Sequence, residues 1–356
     1  MIYNYAGGSE RSSATIDKII NSVFKNNSAA EAGGAIFNEA FTLATVTINT
    51  IDNLTFEGNI ATRFGGAIFN SGGTINEISN TVFENNSVTY SGGAIYNDGY
   101  IEHLTNVSFA HNSVKSDDSA EGGAIYNNGY LGYLDNVSFI GNSANSTLQD
   151  PNMPSAVGGA IAYFPDMGLP LNILSSTGDT IFVGNSANGK SNAIYVEPYI
   201  YERYVDGVLD YQYGYNGTIN LNAGDYNISI LDGISGNAYI ERYYYDKDNN
   251  YLDNQDGYVD DSYKYNTINI NNPDHEIEIY DPDGNIIETK ETPSHGTVIL
   301  ANEIDGNTVN FYDGKLVLTH HTYTHLIAFW DGKSSGTKHM IEIAQMKGIP
   351  VWVFEY

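Results

Sequence analysis

The stretch Gly33-Gly34-Ala35-Ile36-Phe37-Asn38 decides the fold, because it returns along the chain. GGAIFN stands again at Gly65, GGAIYN at Gly92 and Gly122, GGAIAY at Gly158, and a decayed SNAIYV at Ser191. A second motif, Phe-x-x-Asn, alternates with it: FKNN at Phe24, FEGN at Phe56, FENN at Phe83, FAHN at Phe109, FIGN at Phe139 and FVGN at Phe182. A unit of roughly thirty residues marks a repeat architecture, in which each unit buries its apolar side only against its neighbours.

Between the motifs run TINTIDNLTF, TINEISNTVF, YIEHLTNVSF and YLGYLDNVSF, each placing an Asn three residues before its Phe (Asn53, Asn80, Asn106, Asn136). Short apolar-polar alternations, rich in β-branched and aromatic residues and bounded by Gly, Asn and Ser, read as strands. Strands at this period without intervening helices predict an all-β chain folded as a parallel β-helix, right-handed by the rule for parallel crossovers. Each recurring position then has a structural task. The pairs Gly33 and Gly34, Gly65 and Gly66, Gly92 and Gly93, Gly122 and Gly123 supply positive φ and close backbone approach. Ile36, Ile68, Ile95, Ile125, Ile161 and Ile194 form one interior column, and Phe24, Phe56, Phe83, Phe109, Phe139 and Phe182 a second, with rings stacked at the coil spacing. Asn27, Asn59, Asn86, Asn112, Asn142 and Asn185 form a turn ladder of amides, while Asn38 closes the first GGAI motif.

Unit length varies at one place. VKSDDSAE precedes Gly122 and NSTLQDPNMPSAV precedes Gly158, so these insertions emerge at one corner as a candidate binding face. With 356 residues and 41% hydrophobic content the chain can bury a large core. A net charge of −28 argues against nucleic acid and anionic membrane as partners. The absence of cysteine removes disulfides and thiolate chemistry. No run is long enough to span a membrane as a helix. The start, MIYNYAGG, carries the tail of a repeat motif without a signal peptide, which reads as a fragment whose uncapped solenoid end invites self-association.

From about residue 197 the motifs stop and Tyr and Asp dominate, in EPYIYERYVDGVLDYQYGYN and AYIERYYYDKDNNYLDNQDGYVDDSYKYN. Tyr-dense loops offer amphipathic contact area at low entropy cost. The acidic run from Asp246 to Asp261 lacks the glycine that a calcium-binding EF-hand loop needs at its sixth position. GGAI alternating with FxxN resembles the repeat pair of the chlamydial polymorphic outer membrane proteins and related autotransporter passengers. DGISG at Asp232, NTININ at Asn266, GTVIL at Gly296 and TVNFYDGKLVL at Thr308 resemble the segment that follows such repeats. The resemblance covers residues 1–319. It implies a secreted or outer-membrane surface β-helix that serves as adhesin or immune-facing antigen, with a host-cell surface protein or glycan as partner.

Three units follow: repeats over 1–196, a β-rich continuation over 197–319, and a different tail over 320–356. In the tail, Leu326 to Trp330 reads as a strand, followed by a glycine-bearing loop, a helix capped by Gly348 and a strand from Val351, half of a Rossmann-like unit. IAFWDGKSSGTKHMIEIA resembles the end of the YspA-related SLOG-superfamily domains, which implies nucleotide-type ligands. The candidate anion contacts are Asp331, Gly332, Lys333, Ser334, Gly336, Thr337 and Lys338, at a helix start. Only the last quarter of that fold is matched, so the expectation is a fragment without a working site.

Chemistry is thinly represented elsewhere. Of His320, His321 and His325 only the last two share a strand face, and no carboxylate follows at ligand spacing, so no metal or cofactor is expected. Glycan cleavage on the groove is the enzymatic alternative. It needs convergent carboxylates or a base, yet Asp117 and Asp118 are adjacent, and Arg63 is the only arginine between Arg11 and Arg203.

Overall fold

The computed structural model describes residues 1–7, 11–148, 155–164, 168–215, 217–236, 238–254 and 257–259. Beyond these it describes the strands Asn266–Asn271, His275–Tyr280, Ile286–Thr292, Val298–Ala301, Asn307–Tyr312, Lys315–His320, Leu326–Trp330 and Val351–Glu355. The described residues contain no α-helix.

Alternating side chains turn every second residue inward, and through residue 235 the strands of the main sheet stack in parallel. Beyond it, Lys315–His320 pairs antiparallel with Asn266–Asn271 and Asn307–Tyr312, and Leu326–Trp330 with Val298–Ala301. Ser13–Lys25 lies on Thr45–Glu57, which lies on Ile68–Glu84, Ile95–Ala110 and Tyr130–Ile140 in turn. Equivalent residues sit in register: Ile36 on Ile68, Ile95, Ile125, Ile161 and Ile194, and Phe24 on Phe56, Phe83, Phe109, Phe139 and Phe182. A smaller parallel sheet closes each coil, built from pieces such as Ser28–Ala29, Ile60–Ala61, Ser87–Val88 and Ser113–Ser116. This is a solenoid of parallel strands, the architecture of a β-helix.

Two stacks hold successive coils together. Phe56, Phe83, Phe109, Phe139 and Phe182 are fully buried, with ring centroids 4.6–4.8 Å apart and planes within 12°. Beside them the amides of Asn27, Asn59, Asn86, Asn112, Asn142 and Asn185 form a continuous chain, each Nδ2 donating to the next Oδ1 at 2.8–3.0 Å. Asn86 shows how completely one amide is used. Its Oδ1 accepts from the Asn59 backbone N–H and Nδ2, and its Nδ2 donates to Asn112 Oδ1 and to the Phe56 carbonyl. Both amide protons and both acceptor positions are filled, which is what makes a buried Asn tolerable.

Phe-x-x-Asn also encodes a backbone turn. Its third residue is Asn26, Gly58, Asn85, His111, Gly141 or Gly184, and each has φ between 54° and 73°. That left-handed region is open to Gly and, among L-residues, most readily to Asn-like side chains. The Gly pairs divide two tasks. Gly33, Gly65, Gly92, Gly122 and Gly158 have φ between 59° and 72°. Their second members are pressed against the neighbouring coil, so a Cβ on Gly93 would overlap the Gly123 carbonyl oxygen.

The stack does not end where the motifs fade near residue 196. Ile230 lies on Phe182, Ile234 on Ile194, Leu221 on Ile173 and Ile270 on Leu221. Asp232 extends the Asn ladder by accepting the Asn185 Nδ2 and backbone N–H, each at 2.8 Å. Sequence reading loses the repeat here because Ile replaces Phe, Asp replaces Asn, and Gly233-Ile234 condenses the glycine motif. The ladder spacing also grows, from 26–32 residues per coil to 43 and then 47.

Two substitutions test the inter-coil ladder. Asn86→Ala strands donors and acceptors on both neighbours and lowers stability by about 3 kcal/mol in denaturant unfolding. Asn49→Ala, which loses a donor bond to Asp17 and an acceptor bond from Asn76 on the outside of the coils, costs less than about 1 kcal/mol by the same measurement.

Candidate interaction surfaces

Because Ile36 and its equivalents face the core, the next residue faces away from it, and through Tyr126 it is aromatic, whereas in GGAIAY it is the buried Ala162. Tyr3, Phe37, Phe69, Tyr96 and Tyr126 therefore stack along the outside with centroids 4.8–5.2 Å apart. This column was legible in AIFN and AIYN from strand alternation alone. At its flank the Arg63 guanidinium lies 5.0 Å from the Phe64 ring centre and 5.6 Å from that of Tyr90, while pairing with Glu31 at 3.4 Å.

The insertions before Gly122 and Gly158 are partly built as strand. Ser113–Ser116 pairs with Ser143–Ser146, and Ala120–Glu121 with Ala156–Val157, both in parallel. Ser91 Oγ donates to Glu121 Oε2 at 3.1 Å. Burial raises the Glu121 carboxyl above its ordinary range, and Asp118 adds to the rise while hydrogen bonds from Ser91 and Ser119 oppose it. Burial, with the nearby carboxylates Asp98 and Glu121, pushes the Tyr96 phenol up to about 12.

A second corner carries the largest elaboration. Ile194–Val196 leads into Tyr199–Val205, and one coil later Ile234–Ser235 leads into Ala238–Tyr245. Both insertions leave the same corner of successive coils, so they inherit the parallel stacking, with Tyr201 level with Glu241 and Arg203 with Tyr243. Val208–Tyr215 folds back antiparallel on Tyr199–Val205, and Tyr251–Asn254 on Ala238–Tyr245.

The result is a sheet paved with tyrosine on one face. Tyr201 stacks with Tyr213 at 4.8 Å, Tyr243 at 5.1 Å and Tyr211 at 5.6 Å. Arg203 sits among the rings, its guanidinium carbon 4.5 Å from the Tyr245 centroid and 6.0 Å from Tyr211, with Nε 3.3 Å from Asp210. Glu241 accepts the hydroxyls of Tyr199 and Tyr243. Burial and the Glu241 bond raise the Tyr199 phenol, and a hydrogen bond with Tyr211 followed by burial raises Tyr201, so both stay neutral at physiological pH. On the opposite face Glu202 accepts from Arg242 Nε at 2.8 Å, Tyr204 at 3.0 Å and Gln212 at 3.0 Å. Burial works against the Arg242 charge, but the bond and the charge of Glu202 outweigh it and hold its pKa above the ordinary value.

A groove of about 380 Å³ runs along the coils between Asn53, Asn80, Asn106 and Asn136, with Val82 and Ser108 in its wall. These asparagines have φ of 48–56° and bend each long strand before its Phe. The groove lining is uncharged, with Val82 and Val107 set among amides and hydroxyls.

The anion contacts Asp331, Gly332, Lys333, Ser334, Gly336, Thr337 and Lys338 lie outside the described residues, as do His321 and His325. Their flanking strands Leu326–Trp330 and Val351–Glu355 pair in parallel. In the acidic run, Asp246 accepts from the Asp248 and Asn250 backbone and from Asn250 Nδ2. Those bonds, with Asn250 foremost, lower its pKa. Among the described residues no three His, Cys, Asp or Glu side chains are grouped to hold a metal ion. No helix among them is long and apolar enough to cross a membrane.

The fold and its surfaces define a non-globular repeat scaffold with elaborated corners. Residues 21–39, 53–71 and 80–98 match the Chlamydia polymorphic membrane protein (Chlamydia_PMP) repeat. Each matched stretch opens on a left-handed asparagine (Asn21, Asn53, Asn80) and runs through the column Phe (half-buried Phe24, buried Phe56 and Phe83), the ladder Asn and the glycine pair to the inward Ile. The matched residues do not reach 320–356, so the SLOG resemblance gains no support there. No curated protein and no solved structure matches the chain.

Two expected outcomes follow from the charged groups. Glu121 has a folded pKa above its unfolded value, so it favours the fold below pH about 4.5 and loses that contribution as pH rises through the raised pKa. Glu121→Gln is therefore more stable than the parent at pH about 7, and thermal melts of the two converge as pH falls below about 4.5. Glu202→Gln removes the charge opposing half-buried Arg242 and loosens the tyrosine sheet by about 1–3 kcal/mol. Amide hydrogen exchange reads this as faster exchange over 199–215 and 238–245, with the coils before residue 196 unchanged.

Proposed function

We propose that the chain is the surface-exposed passenger of a secreted or outer-membrane β-helix protein, acting by adhesion or antigenic display and not by catalysis. The match of three consecutive coils to the polymorphic membrane protein repeat carries this reading. The fold is consistent with it: the interior is spent on stacking, and the variable segments leave at two corners, as binding loops leave other rigid repeat scaffolds. The partner class is a host-cell surface protein or glycan.

The test is location first. Antibodies raised against the purified chain label intact source cells, and external protease releases the labelled fragment. Labelling that appears only after lysis overturns the reading. Incubation with acidic and neutral polysaccharides yields no new reducing ends or unsaturated products, and turnover of any of them refutes the non-catalytic half.

A further inference from the structure

We propose that the edge strand Val208–Tyr215 is a docking strand for an extended, arginine-bearing segment of another protein, an inference that rests on the passenger reading above. Three independent observations carry it.

The first is the edge itself. Val208–Tyr215 stands outermost in its sheet, paired with Tyr199–Val205 on one side, and among the described residues no strand pairs with its other side. Native proteins normally blunt such an edge with Lys, Pro or a bulge. VLDYQYGY contains neither Lys nor Pro, and its one bulge, at Asp210 where Arg203 and Tyr204 lie opposite Tyr211 and Leu209, sits beside the hairpin turn and leaves Tyr211–Tyr215 regularly paired. The strand is exposed from Val208 to Gly214 on both faces, including Leu209, Tyr211 and Tyr213 at 44–47%. An accessible edge with large amphipathic side chains is the substrate of strand addition, in which main-chain bonds give affinity and alternate side chains give choice.

The second observation is what this surface already binds. Arg203 is level with Tyr211 on the inner strand, its guanidinium held by aromatic rings and by Asp210. Arg63 is held in the same manner, by Phe64, Tyr90 and Glu31. A strand laid on the open edge places alternate side chains level with Tyr211, Tyr213 and Tyr215 from the outer side, as Arg203 is from the inner side. Arginine suits that position better than lysine because its planar, weakly hydrated guanidinium stacks on rings while bonding a carboxylate.

Charge is the third. The turn and strand carry Asp206 and Asp210 without a lysine, and the chain bears −28 overall. A basic segment is drawn in and a second acidic copy is repelled.

The test uses the purified full chain in about 0.15 M salt, where diffuse attraction is screened. The probe is a fluorescent TRTRTRT peptide, compared with its Lys and Glu counterparts by anisotropy. The Arg peptide binds at least ~10-fold tighter than the Lys peptide, and the Glu peptide does not bind. The double variant Tyr211→Ser, Tyr213→Ser weakens the Arg peptide by at least ~10-fold, whereas Tyr100→Ser, Tyr133→Ser on the coils leaves it unchanged. Asp210→Asn, which leaves the tyrosines in place, weakens it as well. Of two Arg peptides N-methylated on alternate residues, at least one loses binding, because one set of N–H groups faces the edge.

Equal affinity for Arg and Lys peptides with no effect of the tyrosine variants overturns the proposal in favour of unspecific attraction. Full retention by both methylated peptides overturns strand addition. Dimerisation of the parent that the tyrosine variant abolishes shows a second copy as occupant. Binding of a neutral cello-oligosaccharide that the same variant abolishes shows a glycan. All of these are solution readouts, so a failure here leaves the surface-location test standing, and the reverse holds.

Discussion

The spacing between parallel strands governs this molecule. Main-chain hydrogen bonds set neighbouring coils about 4.8 Å apart, and any side chain that recurs once per coil must meet its own copy at that distance. Few groups do this favourably in an interior. A phenyl ring stacks on its copy, as the buried Phe column does at 4.6–4.8 Å. A carboxamide bonds its copy as donor on one side and acceptor on the other, as the ladder from Asn27 to Asn185 does. A charged group repeated at such a position would meet a like charge, which explains why the described ladder holds a single carboxylate, Asp232.

The same constraint explains where the chain is free to vary. Residues inside a column are tied to copies above and below, whereas a corner must only return the chain to the right height. The coil therefore lengthens at corners, from 26 residues at its tightest to 47 between Asn185 and Asp232. Two long insertions leaving one corner in successive coils are themselves held at coil spacing. Tyr199–Val205 and Ala238–Tyr245 thus form a sheet in register instead of two separate loops. The scaffold extends its own stacking rule into the surface that it presents.

Electrostatics follows a related economy. In so acidic a chain three of the four arginines have aromatic or carboxylate partners. Arg63 and Arg203 each lie on aromatic rings beside a carboxylate, and Arg242 is bonded to Glu202. The rings accept a cation that carboxylates alone would hold in water at little gain.

Much of this was legible in the order of residues. The alternation of GGAI and FxxN declared the repeat, and strand alternation separated inward Ile36 and Phe24 from their outward neighbours. The need for amides and glycines follows from the same alternation, since a column repeats whatever stands in it. The continuation of the stack beyond residue 196 was not legible, because Ile230, Asp232 and Ile234 keep the shape of a coil without its letters. Nor was the tyrosine sheet, which read as two loops more than twenty residues apart. Sequence alone determined the repeating unit, because each of its contacts joins a residue to its own copy. Only tertiary structure decided which unlike segments meet, because the height of a coil in the stack, and not distance along the chain, brings Arg203 and Tyr245 together.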